Sequence, residues 1–287
     1  MARAKFTPPD PVFDQPPPAG FNIRAGVKGF ALLYWGLLVL VILPFAVYGL
    51  AYGAASSAES QMISVSQRLP EGDERDEAKE QIAIKLDARR ETLRKTWMIG
   101  TASGLCLVLV GVILLGRVAS TPPWHSACGL AAVGIMVQVA LIVWLIVSAW
   151  KQGAVIEIDG LAALLYEIGG VVALLLSLAG ILSLLRQSAW FIRDVKLARH
   201  AIQALRAFRI PIVSFLVVVL CKLLVPLLPS GPAWLDVVVL LVSYIALAAL
   251  VVGILFTIVF VVCLLSTSWR AWHVYTNALE AKEAIND

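Results

Sequence analysis

Six long apolar runs constrain this chain more than any other feature of its 287 residues. A run of about 18 or more apolar residues matches the roughly 30 Å hydrocarbon core of a bilayer. Lipid tails offer no hydrogen bonds, so the peptide groups in each run must bond to one another, and an α-helix achieves this within one segment. The runs fall at about Gly29–Tyr52, Trp97–Val118, Ala127–Trp150, Leu161–Leu185, Pro211–Leu228 and Trp234–Ser266. The expected fold class is all-α: a polytopic α-helical membrane protein with about six transmembrane helices. A hydrophobic content of 60% exceeds that of ordinary soluble domains.

The polar segments between the runs set the domain plan. Residues 1–28 read as a proline-rich, disordered cytoplasmic tail, because Pro8, Pro9, Pro11, Pro16, Pro17 and Pro18 oppose a helix. Residues 29–55 form the first transmembrane helix, 56–96 an extramembrane helical hairpin and 97–185 helices two to four. Residues 186–209 read as a basic amphipathic cytoplasmic linker helix, 210–268 as helices five and six, and 269–287 as a cytoplasmic C-terminal tail.

Within the hairpin, Met62, Val65 and Leu69 recur at helical spacing before Pro70-Glu71-Gly72 breaks the chain. The second arm opens with Asp73, Glu74, Asp76 and Glu77 and closes with Arg89, Arg90, Arg94 and Lys95, which complements the helix dipole. Glu91 and Lys95 are spaced as an i,i+4 ion pair. Ile82, Leu86, Leu93 and Trp97 make an apolar stripe suited to packing on the first arm, or to binding a partner. The hairpin and the proline-rich tail are the two places where a protein partner is expected.

The 186–209 stretch holds Arg186, Arg193, Lys196, Arg199, Arg206 and Arg209 against one acid, Asp194. Phe191, Val195, Ala198, Ile202 and Leu205 predict one apolar face, with basic residues on the other. Such a helix lies on an anionic leaflet, with Arg193, Lys196, Arg199 and Arg206 as the expected lipid contacts. Pro211 then suits the first turn of the fifth span.

Basic residues also give an orientation. With the N-terminus inside, thirteen Lys and Arg fall on cytoplasmic segments and nine outside, eight of the nine in the hairpin. This predicts cytoplasmic termini and, in a bacterium, residence in the inner membrane.

Two glycine pairs, Gly49/Gly53 and Gly100/Gly104, have the spacing of helix-packing notches. Gln138 is a mid-span amide placed to bond a neighbouring helix. Glu167 and Lys222 are the ionisable residues well inside apolar runs, each about six residues, or roughly 9 Å, from the outer boundary, and Asp236 opens the sixth span. These three frame an intramembrane polar site, or Glu167 and Lys222 form a structural ion pair, or Lys222 snorkels outward.

Nothing in the sequence points to catalysis, a metal or a cofactor. There is no G-x-x-x-x-G-K-[ST], H-E-x-x-H or G-x-S-x-G pattern. His125 stands alone at an interface, and Cys106, Cys128, Cys221 and Cys263 lie in or beside apolar runs without a C-x-x-C. No folded basic domain suggests nucleic acid. The function that fits is a non-enzymatic scaffold or accessory subunit of a membrane complex. A small-solute or ion transporter centred near Glu167 and Lys222 is the alternative.

Overall fold

The structure, a computed structural model, describes residues 21–69, 72–152, 161–224 and 234–286. Within these, the side chains of 149–152, 161–168, 215, 219–220, 222–224, 234–236 and 285–286 lie outside the description. The proline-rich stretch 1–20 and residues 70–71, 153–160, 225–233 and 287 lie outside it as well.

Six helices follow in order: α1 (Ile23–Arg68), α2 (Asp73–Leu115), α3 (Pro122–Gln152), α4 (Leu161–Ile192), α5 (Val195–Leu224) and α6 (Trp234–Asn286). No strand occurs among the described residues. Each helix has a segment long and apolar enough to cross a membrane. The chain is an α-helical integral membrane protein.

Helix ends explain where the chain turns. Asn22 caps α1, its Oδ1 accepting from the Ala25 amide at 3.1 Å. The helix therefore starts at Ile23 rather than near Gly29 and runs on through Pro44. α2 opens with Asp73, Glu74 and Asp76 in its first turn, at the positive end of its dipole. Along it, Glu91 pairs with Lys95 and with Arg94, both at 3.4 Å. α3 begins at Pro122, five residues before the Ala127 start expected from the third apolar run. A proline at the first helical position forfeits only an amide with no partner in the helix. Trp124 is thereby turned inward and fully buried, and its indole donates to the Leu115 carbonyl at 2.6 Å.

Helices α1, α2 and α6 contain 46, 43 and 53 residues. At 1.5 Å per residue these are about 69, 64 and 80 Å long. Each is more than twice the roughly 30 Å thickness of the hydrocarbon, so each must project well beyond it.

The chain forms two compact units. One comprises the described residues of 31–114 and 129–179. Here α1 and α2 approach through glycines. A Cβ on Gly36 would lie 2.6 Å from Val108 Cγ2 and 2.9 Å from the Gly104 carbonyl oxygen. Gly100 receives Leu43, and Gly104 receives Leu40 and Val39. The Gly100/Gly104 notch expected from sequence is therefore used. Among the described residues Gly49 and Gly53 seat no helix, since a Cβ on either would meet nothing within 4 Å. In the same unit α3 meets α4 at Gly134, where a Cβ would lie 2.5 Å from both the Ala173 oxygen and the Ser177 nitrogen. One turn away, Gln138 Nε2 donates to Ser177 Oγ at 3.0 Å, and that hydroxyl donates to the Leu174 carbonyl at 2.9 Å. The mid-span amide thus has the interhelical partner its position called for.

The other unit comprises residues 21–30, 115–128, 180–224 and 234–286. Its aromatic core joins Tyr275 to Phe30 at 5.0 Å and to Phe21 at 5.9 Å, and Phe191 to Trp124 at 5.3 Å. Gly26 lies directly against the Tyr275 ring. Helices α5 and α6 pack on each other. Phe208 meets Phe260 at 4.9 Å. Further along, Ser214 sits against Gly253, where a Cβ would be 3.0 Å away.

These contacts bracket Pro211, which corrects the sequence reading of the fifth span. Pro211 does not open a helix; it lies inside α5. It removes one amide donor, and packing on α6 holds the helix on either side of the gap. Many large apolar side chains on α6 are exposed, among them Leu240, Leu241, Leu247, Leu255 and Val262. In water such a surface would be a liability, but against lipid tails it is solvated.

Candidate functional site at the α4–α5 corner

The basic stretch is not one helix. α4 ends at Ile192 and α5 begins at Val195, with a corner of two residues between them. Arg193 takes the left-handed conformation, with φ 59°. Its amide donates to the Trp190 carbonyl at 3.2 Å, and the Asp194 amide donates to the Ala189 carbonyl at 3.1 Å. This pair of bonds is the Schellman termination, which usually has glycine at the left-handed position.

Asp194 both ends one helix and starts the next. Its Oδ1 accepts from the Lys196 amide at 2.8 Å and from the Leu197 amide at 2.9 Å, satisfying two free donors at the start of α5. Its Oδ2 accepts from Arg270 Nη2 of α6 at 3.1 Å. The Asp194 and Arg270 side chains are only 17% and 32% exposed, so water screens this pair less than an ordinary surface pair. Burial pushes the Asp194 carboxyl up. The Leu197 amide, the Arg270 guanidinium and the Lys196 amide outweigh it and hold the group below its ordinary range.

Because the corner resets the helical phase, the apolar stripe predicted from Phe191 through Leu205 does not form one face. The residues of α5 buried at its start are Leu197, Ala198, Ala201 and Ala204, whereas Val195 is exposed. Of the expected lipid contacts, Arg193 sits in the corner itself, and Lys196, Arg199 and Arg206 are exposed along α5. Arg209 is exposed beyond them. On the α4 side, the Arg186 guanidinium lies 4.9 Å over the Trp190 ring. The structural roles of Asp194 and Arg270 escaped the sequence reading, although an aspartate directly before a helical segment is an N-cap signal.

Glu167, Lys222 and Asp236 belong to α4, α5 and α6, but their side chains lie outside the described residues. Among the described residues no three His, Cys, Asp or Glu side chains gather as a metal site would require. A groove of about 480 Å³ lies between the start of α1 and the end of α6, and Arg24 Nη2 donates to Glu283 Oε1 there at 2.9 Å. The geometry of the corner is that of a clamp: Asp194 closes α4 through its backbone amide, while its carboxylate caps α5 and ties the corner to α6, leaving a row of cations facing outward.

Comparison with known protein families, curated proteins and solved structures finds no match.

Proposed function

We propose that the chain is a non-enzymatic scaffold or accessory subunit of a membrane complex, with the 56–96 hairpin as its partner platform. One observation carries the reading. α1 and α2 each pass without interruption from an apolar, membrane-length segment into a polar one. A continuous helix is a stiff support, so the hairpin is held at a fixed distance and angle instead of hanging on a linker. Ile63 and Ile84 are 52% and 61% exposed amid its polar residues, which offers a partner two apolar anchors. Ala58 on the first arm and Ala54 just before it are buried, so this part of α1 has a packed side and an open side.

Photo-crosslinking from positions 63 and 84 in intact membranes tests this. A discrete adduct that is lost when the other isoleucine is changed to serine supports the platform. Solute flux in proteoliposomes that a Glu167→Gln change abolishes, with no adduct, overturns it in favour of a transporter.

The hairpin is placed outside the cell and both termini inside, on the thirteen-to-nine distribution of basic residues. In a cysteine-free background, Ser66→Cys is expected to react with an impermeant thiol reagent in intact cells, and Asn277→Cys to be protected. The reverse pattern overturns the orientation.

A further inference from the structure

The exposed face of α5 changes character along its length. Lys196, Arg199, Gln203, Arg206 and Arg209 are all exposed. Further along the same helix Val213 and Leu216 are 59% and 53% exposed. The spacings from Arg206 to Arg209, Val213 and Leu216 are three, four and three residues, which keeps all four on one helical face. From Val195 to Leu224 the helix contains no Asp or Glu. The nearest carboxylate in sequence, Asp194, is held by Arg270 and the amides that begin α5. The opposite side of the basic half is sealed, with Leu197, Ala201 and Ala204 buried and Phe208 against Phe260.

A uniformly cationic strip that becomes apolar on the same face has the profile of one particular molecule. A phosphate group meets the guanidinium groups, and a hydrocarbon chain follows the apolar continuation. From Arg206 to Leu216 the strip extends about 15 Å along the axis, which covers a headgroup and the upper part of an acyl chain. Arginine, whose planar fork matches phosphate oxygens in pairs, occupies the two positions next to the apolar part.

We infer that α5 carries a binding site for a single anionic phospholipid, its headgroup held by Arg206 and Arg209 with Lys196 and Arg199 flanking, and its acyl chain lying along Val213 and Leu216. The site differs from the surface-lying linker expected from sequence. It belongs to a spanning helix, excludes Arg193, and includes apolar residues beyond Pro211. It stands independently of any role for the hairpin.

Native mass spectrometry of the full chain in a neutral detergent tests the site, with dioleoyl phosphatidylglycerol and dioleoyl phosphatidylcholine titrated separately. The anionic lipid is expected to bind at least about 30-fold more tightly. Each cation near a membrane surface is worth a factor of about five, so R206Q/R209Q should lose roughly 30-fold in affinity for phosphatidylglycerol and leave phosphatidylcholine unchanged. R206K/R209K should keep most of the preference. V213S/L216S should weaken both lipids. Should the double glutamine variant fail to fold, R209Q alone carries the test, with a loss of roughly fivefold. Equal binding of the two lipids by the wild-type chain overturns the inference, as does an unchanged R209Q. Displacement of the lipid by inorganic phosphate at equal concentration also overturns it, because the site would then be one for free anions.

Discussion

Replacing Asp194 by alanine removes two different interactions at once, and their sizes can be worked out separately. The carboxylate caps α5 through the Lys196 and Leu197 amides, and loss of such a cap costs about 1 kcal/mol. It also pairs with Arg270, whose side chain is 32% exposed. Leaving a charged donor without its acceptor costs about 1.5–3 kcal/mol when buried, and this partial exposure brings the figure to about 1–2 kcal/mol. The sum, about 2–3 kcal/mol, corresponds to a fall in Tm of roughly 3–5 °C for a chain of this size. Asp194→Asn keeps an acceptor for the amides and loses only the charge, so it should fall roughly half as far. Thermal unfolding of the purified chain in nanodiscs, followed by far-ultraviolet circular dichroism, gives both values. Combining Asp194→Ala with Arg270→Gln should cost clearly less than the two single losses added together. Full additivity, or an alanine variant within about 1 °C of wild type, would refute the clamp. The pH dependence has a fixed sign. The Asp194 carboxyl is depressed below its ordinary 3.8 in the folded state, so its stabilisation is complete above that value. The stabilisation disappears as pH falls through the lower, folded value. The gap between wild type and Asp194→Ala should therefore be constant near neutrality and shrink only in strong acid.

Four other substitutions probe the packing. Arg193→Gly should stabilise the chain by about 1 kcal/mol, because glycine adopts φ 59° without strain, and a loss would show that the Arg193 side chain matters more than its backbone. Gly134→Ala should destabilise by roughly 3 kcal/mol, since its Cβ would press on backbone atoms at 2.5 Å; an unchanged Tm would mean that α3 and α4 can separate freely. Gly49→Ala, with nothing within 4 Å, should gain up to about 1 kcal/mol from helix propensity, and a loss would reveal a helix packed there. Tyr275→Phe should leave Tm unchanged or raise it by an amount equivalent to about 1 kcal/mol, because the buried hydroxyl has no hydrogen-bond partner among the described residues and the ring contacts remain; a marked loss would place an ordered water on that oxygen.

Length and hydropathy made the six helices legible because the bilayer imposes a minimum on both. Local spacing revealed the Gly100/Gly104 notch and the Glu91–Lys95 pair, whose partners lie within a few residues or on the adjacent antiparallel helix. It also marked Gln138 as needing a partner, without identifying Ser177 as the one. Legibility ended where a distant partner decides the outcome. Gly36 and Gly134 look like any other glycines until Gly104 and Ala173 are placed beside them. Pro211 reads as a helix start by local rules, yet α5 continues through it with α6 packed on both sides. The corner was hidden because its left-handed position holds Arg193 where glycine would have signalled it. For the polar trio of Glu167, Lys222 and Asp236, sequence supplies depth along each helix, and depth alone does not bring side chains together.

The unbroken course of α2 from Asp73 to Leu115 makes it a torsion shaft. One residue inserted anywhere between the hairpin and Gly100 would swing the whole upstream arm by about 100° and advance it by about 1.5 Å. The seat that accepts Leu43 and the outward bearing of Ile84 are thus geared to each other. Frame-preserving insertions should be tolerated in steps near a full heptad, which restores the angle to within about 20°, and rejected at lengths between.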